Sequence, residues 1–438
     1  MQIAARTACL FIFGALLAYH GLAQPADLSA VLSSPVPDAL HFENGKLVRN
    51  ATQWRARHSE ILDLFAAQVY GRTPKETAKL RFQQEALDDR TTVLGVPAHR
   101  KEVAINLSQG TESRLIHVLL YLPANINAPV PVIVGLNFGG NQTVAADPGI
   151  ALNDIWVRDS SGNSSSVNSE RSKFIRQRAT SDSRGKAASQ WQVDKIISHG
   201  YALATAYYGD IEPDFSGAME QGVRALFLQP GQTQWPPNSW GALGAWAWGL
   251  SRIADYLQSD PAIDGKRIAI FGFSRLGKAA LWAAAQDQRF NLVLSNESGV
   301  GGASLYRAKS AETIEHLNTA FPHWFCANFH EYTGHPDRVP VDGNLLLSLI
   351  APRPLYVGSA EQDTFSCPPA EFLSTVLASK VYRLLGKRAL GPNEHMPPVI
   401  HPVIEGNVAY HVRTGKHNVT EFDWEQYLHF MDLHFKQH

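Results

Sequence analysis

The chain has 438 residues, with 39 Lys and Arg against 40 Asp and Glu, a net charge of −1 with histidine neutral. That balance lacks the basic footprint a nucleic-acid binder needs, so no nucleic-acid partner is expected. Hydrophobic residues make up 45% of the chain, enough for a large core, and no stretch after the first two dozen residues is long and apolar enough to span a bilayer, so no membrane partner is expected either.

The chain opens MQIAARTACLFIFGALLAYHGLAQ. Arg6 is a basic start, Ala8 to Tyr19 an apolar run, and Gly21-Leu22-Ala23 a small-x-small cleavage site, which together read as a secretory signal peptide over residues 1–23. A secreted or periplasmic protein is the expectation. Cys326 and Cys367 remain after processing. An exported chain could pair them, but sequence leaves open whether their Cα atoms come close enough.

Residues 24–438 then read as one catalytic domain with an N-terminal extension. A helix is expected over 54–70, and strands over 101–108, 114–123 and 129–138, the last a short apolar run before Gly139-Gly140. Residues 151–192, rich in Ser, Asn and Arg, read as a polar surface insertion. Next come a strand at 201–210, a helix at 240–258, a strand at 267–272, a helix at 276–286, and strands at 291–296 and 354–360. This alternation predicts a three-layer αβα sandwich around a mainly parallel sheet.

The segment RIAIFGFSRLGKAALWAAAQ runs a strand through Gly272-Phe273-Ser274-Arg275-Leu276-Gly277 into a helix. The nucleophile-elbow pattern G-x-S-x-G wants a glycine at 276, and here it comes one place later. The strand–turn–helix context still sets a serine hydroxyl at a sheet edge and a helix N-terminus, where backbone N–H groups and the dipole favour an oxyanion. Ser274 is therefore the expected nucleophile of an α/β-hydrolase, against the plainer role of an N-cap. Arg275 is either an oxyanion donor or a salt-bridge residue.

The chain order Ser, acid, His leaves two acids, Glu297 in NESGVGG and Asp363 in SAEQD, both at strand ends. For the base, His417 sits in a loop before the last helix, whereas His411 reads as a strand residue. His330 and His335 are five apart where a helical zinc motif needs four, so no metal is expected.

The blocks GLNFGGN, WGALGAWAWGLSRIADYL, GFSRLGK, SNESGVGG, FPHWFC, APRPLYVGSAEQD and YHVRTGKH, in that order, resemble the glucuronoyl esterases, carbohydrate esterase family 15, in their bacterial form. The resemblance implies hydrolysis of the ester between glucuronic acid on xylan and lignin alcohols, without a cofactor. It makes Ser274 the nucleophile, Arg275 an oxyanion donor, Glu297 and His417 the rest of the triad, and Asp363 the alternative acid. Lys278 and Glu312 would contact the uronate hydroxyls. Phe365 stands where a substrate-contacting Trp is usual, Phe273 where the family often has Cys, and Gln142 where a His is expected. A glucuronoxylan or lignin–carbohydrate ester is the implied partner, and a monomer the expected state. Acetylxylan or feruloyl ester hydrolysis is the nearest rival, and a non-catalytic carbohydrate binder on a hydrolase fold a more distant one.

Overall fold

The structure, a computed structural model, describes residues 31–436 except 75–77, 92–94, 126, 160–172, 229–230, 233–234 and 393–394. The expected signal peptide lies outside the described residues. In chain order, helix α1 (Ala51–Gln68) is followed by β1 (Lys79–Thr91), β2 (Ala98–Gln109), β3 (Glu112–Pro123) and β4 (Val130–Asn137). Then come β5 (Asp154–Arg158), β6 (Phe174–Arg178), α2 (Ala188–Trp191), α3 (Val193–Ser198), β7 (Ala202–Tyr207) and the single turn α4 (Tyr208–Ile211). The second half holds α5 (Ala242–Ser259), β8 (Ile263–Phe273), α6 (Arg275–Gln286), β9 (Phe290–Asn296), α7 (Ile314–Ala320) and α8 (Gly343–Ser348). It closes with β10 (Leu355–Ala360), α9 (Pro368–Leu384), β11 (Val403–Glu405), β12 (Val408–Arg413) and α10 (Glu421–Phe435).

Ten strands form one sheet in the order β1-β2-β3-β7-β4-β8-β9-β10-β12-β11. Strands β7, β4, β8, β9, β10 and β12 are mutually parallel, and β1 to β3 and β11 add antiparallel edges. The parallel strands alternate between two cores. Val132, Val134, Ile268, Ile270, Leu355 and Val357 face Phe65 of α1, Trp246 of α5, Trp282 of α6 and Phe372 of α9. Ile133, Ala269, Phe271 and Tyr356 face Ile196 of α3 and Trp424 and Tyr427 of α10. Burial on both faces is why these strands read as unbroken apolar runs. From β4 the chain crosses to β7 on one side and then to β8 on the other, so the strand order reverses at β4. In open α/β sheets ligand sites form beside such a reversal, at the carboxyl strand ends.

Helix α1 starts three residues before its apolar pattern because Asn50 caps it, its side chain accepting from the Gln53 N–H at 2.9 Å. This extension belongs to the main core. Tyr70 stacks on Trp282 with ring centroids 4.6 Å apart, and its hydroxyl donates to the Gly301 carbonyl at 2.6 Å.

Two expectations change. The 151–192 stretch is not one irregular insertion, since β5 and β6 pair antiparallel within it. Phe174 stacks on Phe215 at 4.5 Å, and the Trp156 N–H donates to the Tyr207 hydroxyl at 3.1 Å. Five-residue strands, half exposed and polar, carry too little periodicity to be read. The strand expected over 201–210 ends at Tyr207, where the chain coils into α4. Cys326 and Cys367 are both free thiols. Among the described residues, no helix is long and apolar enough to cross a membrane.

Candidate active site

Ser274 joins β8 to α6 with φ 56° and ψ −133°, a left-handed backbone that costs a non-glycine residue about 1–3 kcal/mol. Three hydrogen bonds hold it there. Its N–H donates to the Asn296 carbonyl at 3.0 Å, and its carbonyl accepts from the Gly277 and Lys278 N–H groups at 2.8 and 3.2 Å. The hydroxyl makes no capping bond, so the plain N-cap role does not apply. The late glycine is also explained. A Cβ on Gly277 would sit 2.8 Å from Cβ of Ser298 and 3.1 Å from the Gly272 carbonyl oxygen, and one on Gly272 would sit 2.6 Å from Cα of Gly277. The two glycines interlock where the strand end meets the first helical turn; position 276 enters that contact only through its backbone, whose carbonyl oxygen would lie 2.3 Å from a Cβ on Gly272, so a side chain is tolerated there. The Leu276 side chain enters the core.

His417, in the loop after β12, reaches both acids through one nitrogen. Its Nδ1 lies 2.6 Å from Oδ2 of Asp363 and 3.0 Å from Oε2 of Glu297. Oδ1 of Asp363 accepts from the Phe365 and Ser366 N–H groups at 3.1 and 3.2 Å, and Oδ2 also takes the Ser366 hydroxyl. Glu297, itself at φ 46°, is buried. Its Oε1 meets Nη2 of Arg413 at 2.5 Å, and its Oε2 accepts from the Asn418 N–H at 3.1 Å. Burial pushes the Glu297 carboxyl up to about 7, against the pull of His417 and Arg413. Burial also opposes a charge on His417, but Asp363 and then Glu297 outweigh it and raise the imidazole to about 9. Burial would raise Asp363, yet His417 and the Ser366 N–H hold it below the usual carboxylate range. The Phe273 ring packs against the His417 ring at 4.6 Å, a contact a cysteine could not supply. Glu297, Asp363 and His417 also place donor atoms close enough together for a metal ion, but the Arg413 guanidinium already lies on Glu297.

Ser274, Arg275, Lys278, Glu297, Glu312, Asp363, Phe365 and His417 all line one cleft of about 250 Å³, which His316, Phe321 and Trp324 complete. The eight candidate catalytic and substrate-contact residues thus border the same space, whereas Phe273 and Gln142 are not among its lining residues. Lys278 differs from expectation in its bonding. Its three protons go to the Ser298 and Val300 carbonyls at 2.8 and 2.7 Å and to Oε2 of Glu312 at 2.9 Å, so none is left for a sugar hydroxyl. Burial lowers its pKa, with Glu312 acting the other way. Glu312 also accepts the Val300 N–H at 2.8 Å. Arg275 does form a salt bridge, to Asp214.

Sequence reasoning missed Asp214, His323, Trp324 and Arg413. Asp214 binds Arg275, His323 and Trp324. Arg413, at the end of β12, donates through Nη2 to the Lys416 and Asn418 carbonyls at 3.1 and 2.5 Å, fixing the peptide on both sides of His417. Three lie in blocks quoted for the resemblance, His323 and Trp324 in FPHWFC and Arg413 in YHVRTGKH. What was lacking was any cue to their partners, more than a hundred positions away in most cases.

A family model described as fungal glucuronyl esterase matches residues 235–386. A carbohydrate esterase from an unknown prokaryotic organism is 40% identical over 93% of this chain and 91% of its own. The 4-O-methyl-glucuronoyl methylesterase of Schizophyllum commune is 26% identical over 88% of this chain and 82% of its own. The solved glucuronoyl esterase from Solibacter usitatus is 45% identical and superposes with a TM-score of 0.85, covering 93% of this chain and 100% of that one. The chain therefore belongs to the glucuronoyl esterases of carbohydrate esterase family 15, and it is a carboxylic ester hydrolase with their α/β-hydrolase fold.

Proposed function

We propose that this enzyme hydrolyses uronoyl esters joining the glucuronic acid of xylan to lignin alcohols, through an acyl-enzyme at Ser274. The observation that carries the reading is the hydrogen bond from Nδ1 of His417 to Asp363 in the cleft that also holds Ser274. That bond leaves Nε2 of His417 as the free base. Nε2 takes the hydroxyl proton, and Oγ of Ser274 attacks the ester carbonyl. The Arg275 guanidinium and the first N–H groups of α6 stabilise the oxyanion. The imidazolium returns its proton to the departing alcohol. Water then cleaves the acyl-enzyme by the same route, releasing the uronate and restoring Ser274. Asp363 is the acid that orients His417, because its oxygen is the nearer to Nδ1, at 2.6 Å against 3.0 Å for Glu297, whose carboxylate also offsets the Arg413 charge. Glu312, held by Lys278, accepts from sugar hydroxyls, and Phe365 with Phe321 offers apolar surface to the ring. An exported protein acting on plant cell-wall polymer fits this chemistry.

The test assays the purified protein on benzyl and methyl glucuronate and on acetylated xylan, beside Ser274→Ala. Turnover of the glucuronate esters alone is expected, with kcat in the variant down by on the order of 10⁴-fold or more. A variant that keeps its activity would remove Ser274 from the mechanism. Preference for acetylated xylan would remove the uronate.

A further inference from the structure

An arginine beside a nucleophile is useful only if it is held still. The side chain has large rotamer freedom, and an oxyanion donor must already be in place when charge develops. Arg275 is restrained by an assembly drawn from two distant segments. Oδ2 of Asp214, whose side chain is only 6% exposed, accepts from Nη1 of Arg275 and, at 3.3 Å, from the Tyr208 hydroxyl. Oδ1 of Asp214 accepts from Nε1 of Trp324 at 2.7 Å and meets Nε2 of His323 at 2.8 Å. The guanidinium carbon lies 4.8 Å from the Trp324 ring centre and 5.3 Å from that of Phe321, and those two rings stack on each other at 3.9 Å. Among the described residues, Nη1 alone of the guanidinium nitrogens has a side-chain acceptor, while Nε is buried with none.

We propose that Asp214 is a positioning residue for catalysis. With His323 and Trp324 behind it, it fixes the Arg275 guanidinium at the oxyanion site. The inference rests on the reading of Arg275 as an oxyanion donor. A carboxylate so near would by itself oppose a developing negative charge. Here its charge is drawn back by three further donors, Tyr208, His323 and Trp324, so the guanidinium keeps most of its positive field for the substrate. The same arrangement gives FPHWFC a purpose: Phe321 and Trp324 supply faces, and His323 and Trp324 supply protons.

The experiment is a double-mutant cycle on full-length protein with methyl glucuronate, using Asp214→Asn, Arg275→Met and both together, with Tm recorded for each. Arg275→Met should lower kcat by roughly 10²–10³-fold, and Asp214→Asn by roughly 10–100-fold with KM within about two-fold. The double variant should be no worse than Arg275→Met, because the acid acts only through the arginine. Losses that multiply, or Asp214→Asn at wild-type kcat beside a crippled Arg275→Met, overturn the clamp alone. Arg275→Met at wild-type kcat overturns the oxyanion reading and the clamp with it. Should Asp214→Asn lose its fold, Trp324→Phe keeps the ring face and removes one donor, and the same non-additivity with Arg275→Met is required of it.

Discussion

Asp363 and Glu297 reach the same nitrogen of His417, but they differ in what else they bind. Asp363 spends its other bonds on its own loop, whereas Glu297 is tied to Arg413 and to the peptide after His417. Asp363→Asn is therefore expected to lower kcat by roughly 10³-fold, and Glu297→Gln by less. A larger loss in Glu297→Gln would return the orienting role to that residue. The pH profile gives a second reading. The base works only when neutral, and its pKa stands near 9, so kcat/KM should rise with pH through about 9. Removing either negative charge lowers the imidazole pKa, so both variants should show that rise at lower pH. The stability linkage has the opposite course. A raised histidine pKa supports the fold fully below its unfolded value of 6.5, and that support is lost as pH rises through about 9.

At the scale of elements, β8, the turn and α6 form the part of the site most legible in sequence. Strand β8 is flanked on both sides and buried, so its apolar run announced it, and Ser274 followed from the turn. The displaced glycine is a packing requirement between Gly272 and Gly277. Gly277→Ala should cost about 1–3 kcal/mol and lower Tm, because neither Ser298 nor the Gly272 backbone can retreat easily. An unchanged Tm would mean the interlock is looser than its distances. The less legible parts share a cause. Asp214 follows a one-turn helix in a segment with no period. The β5–β6 pair is too short and too polar to pattern. Lys278 lay in the quoted GFSRLGK block, yet its three bonds depend on a loop twenty and more residues away.

Across the whole molecule, the layers were readable because strand alternation distributes side chains to two cores, one under α1, α5, α6 and α9 and the other under α3 and α10. The N-terminal extension was placed in sequence but its importance was not, since a helix cannot show from its own residues what it will cover. Phe65 is buried in the core beside Trp282, and Tyr70 stacks on Trp282 while holding the Gly301 carbonyl. The loop from Glu297 to Gly301 is thereby anchored from the far end of the chain. Protein beginning at Gly71 is expected to be insoluble or to melt far below the longer chain, and soluble, fully active protein from that boundary would refute this.

The backbone at Ser274 has a consequence for how such a protein can change over time. A glycine there would adopt the same angles without strain, so on the proposed mechanism Ser274→Gly is expected to leave a chain that folds at least as well and no longer turns over ester. Drift under a demand for stability alone would therefore erase this serine early. A serine at a conformation that opposes it is what the proposed nucleophile requires, since the same angles that strain the backbone present its hydroxyl at the strand end.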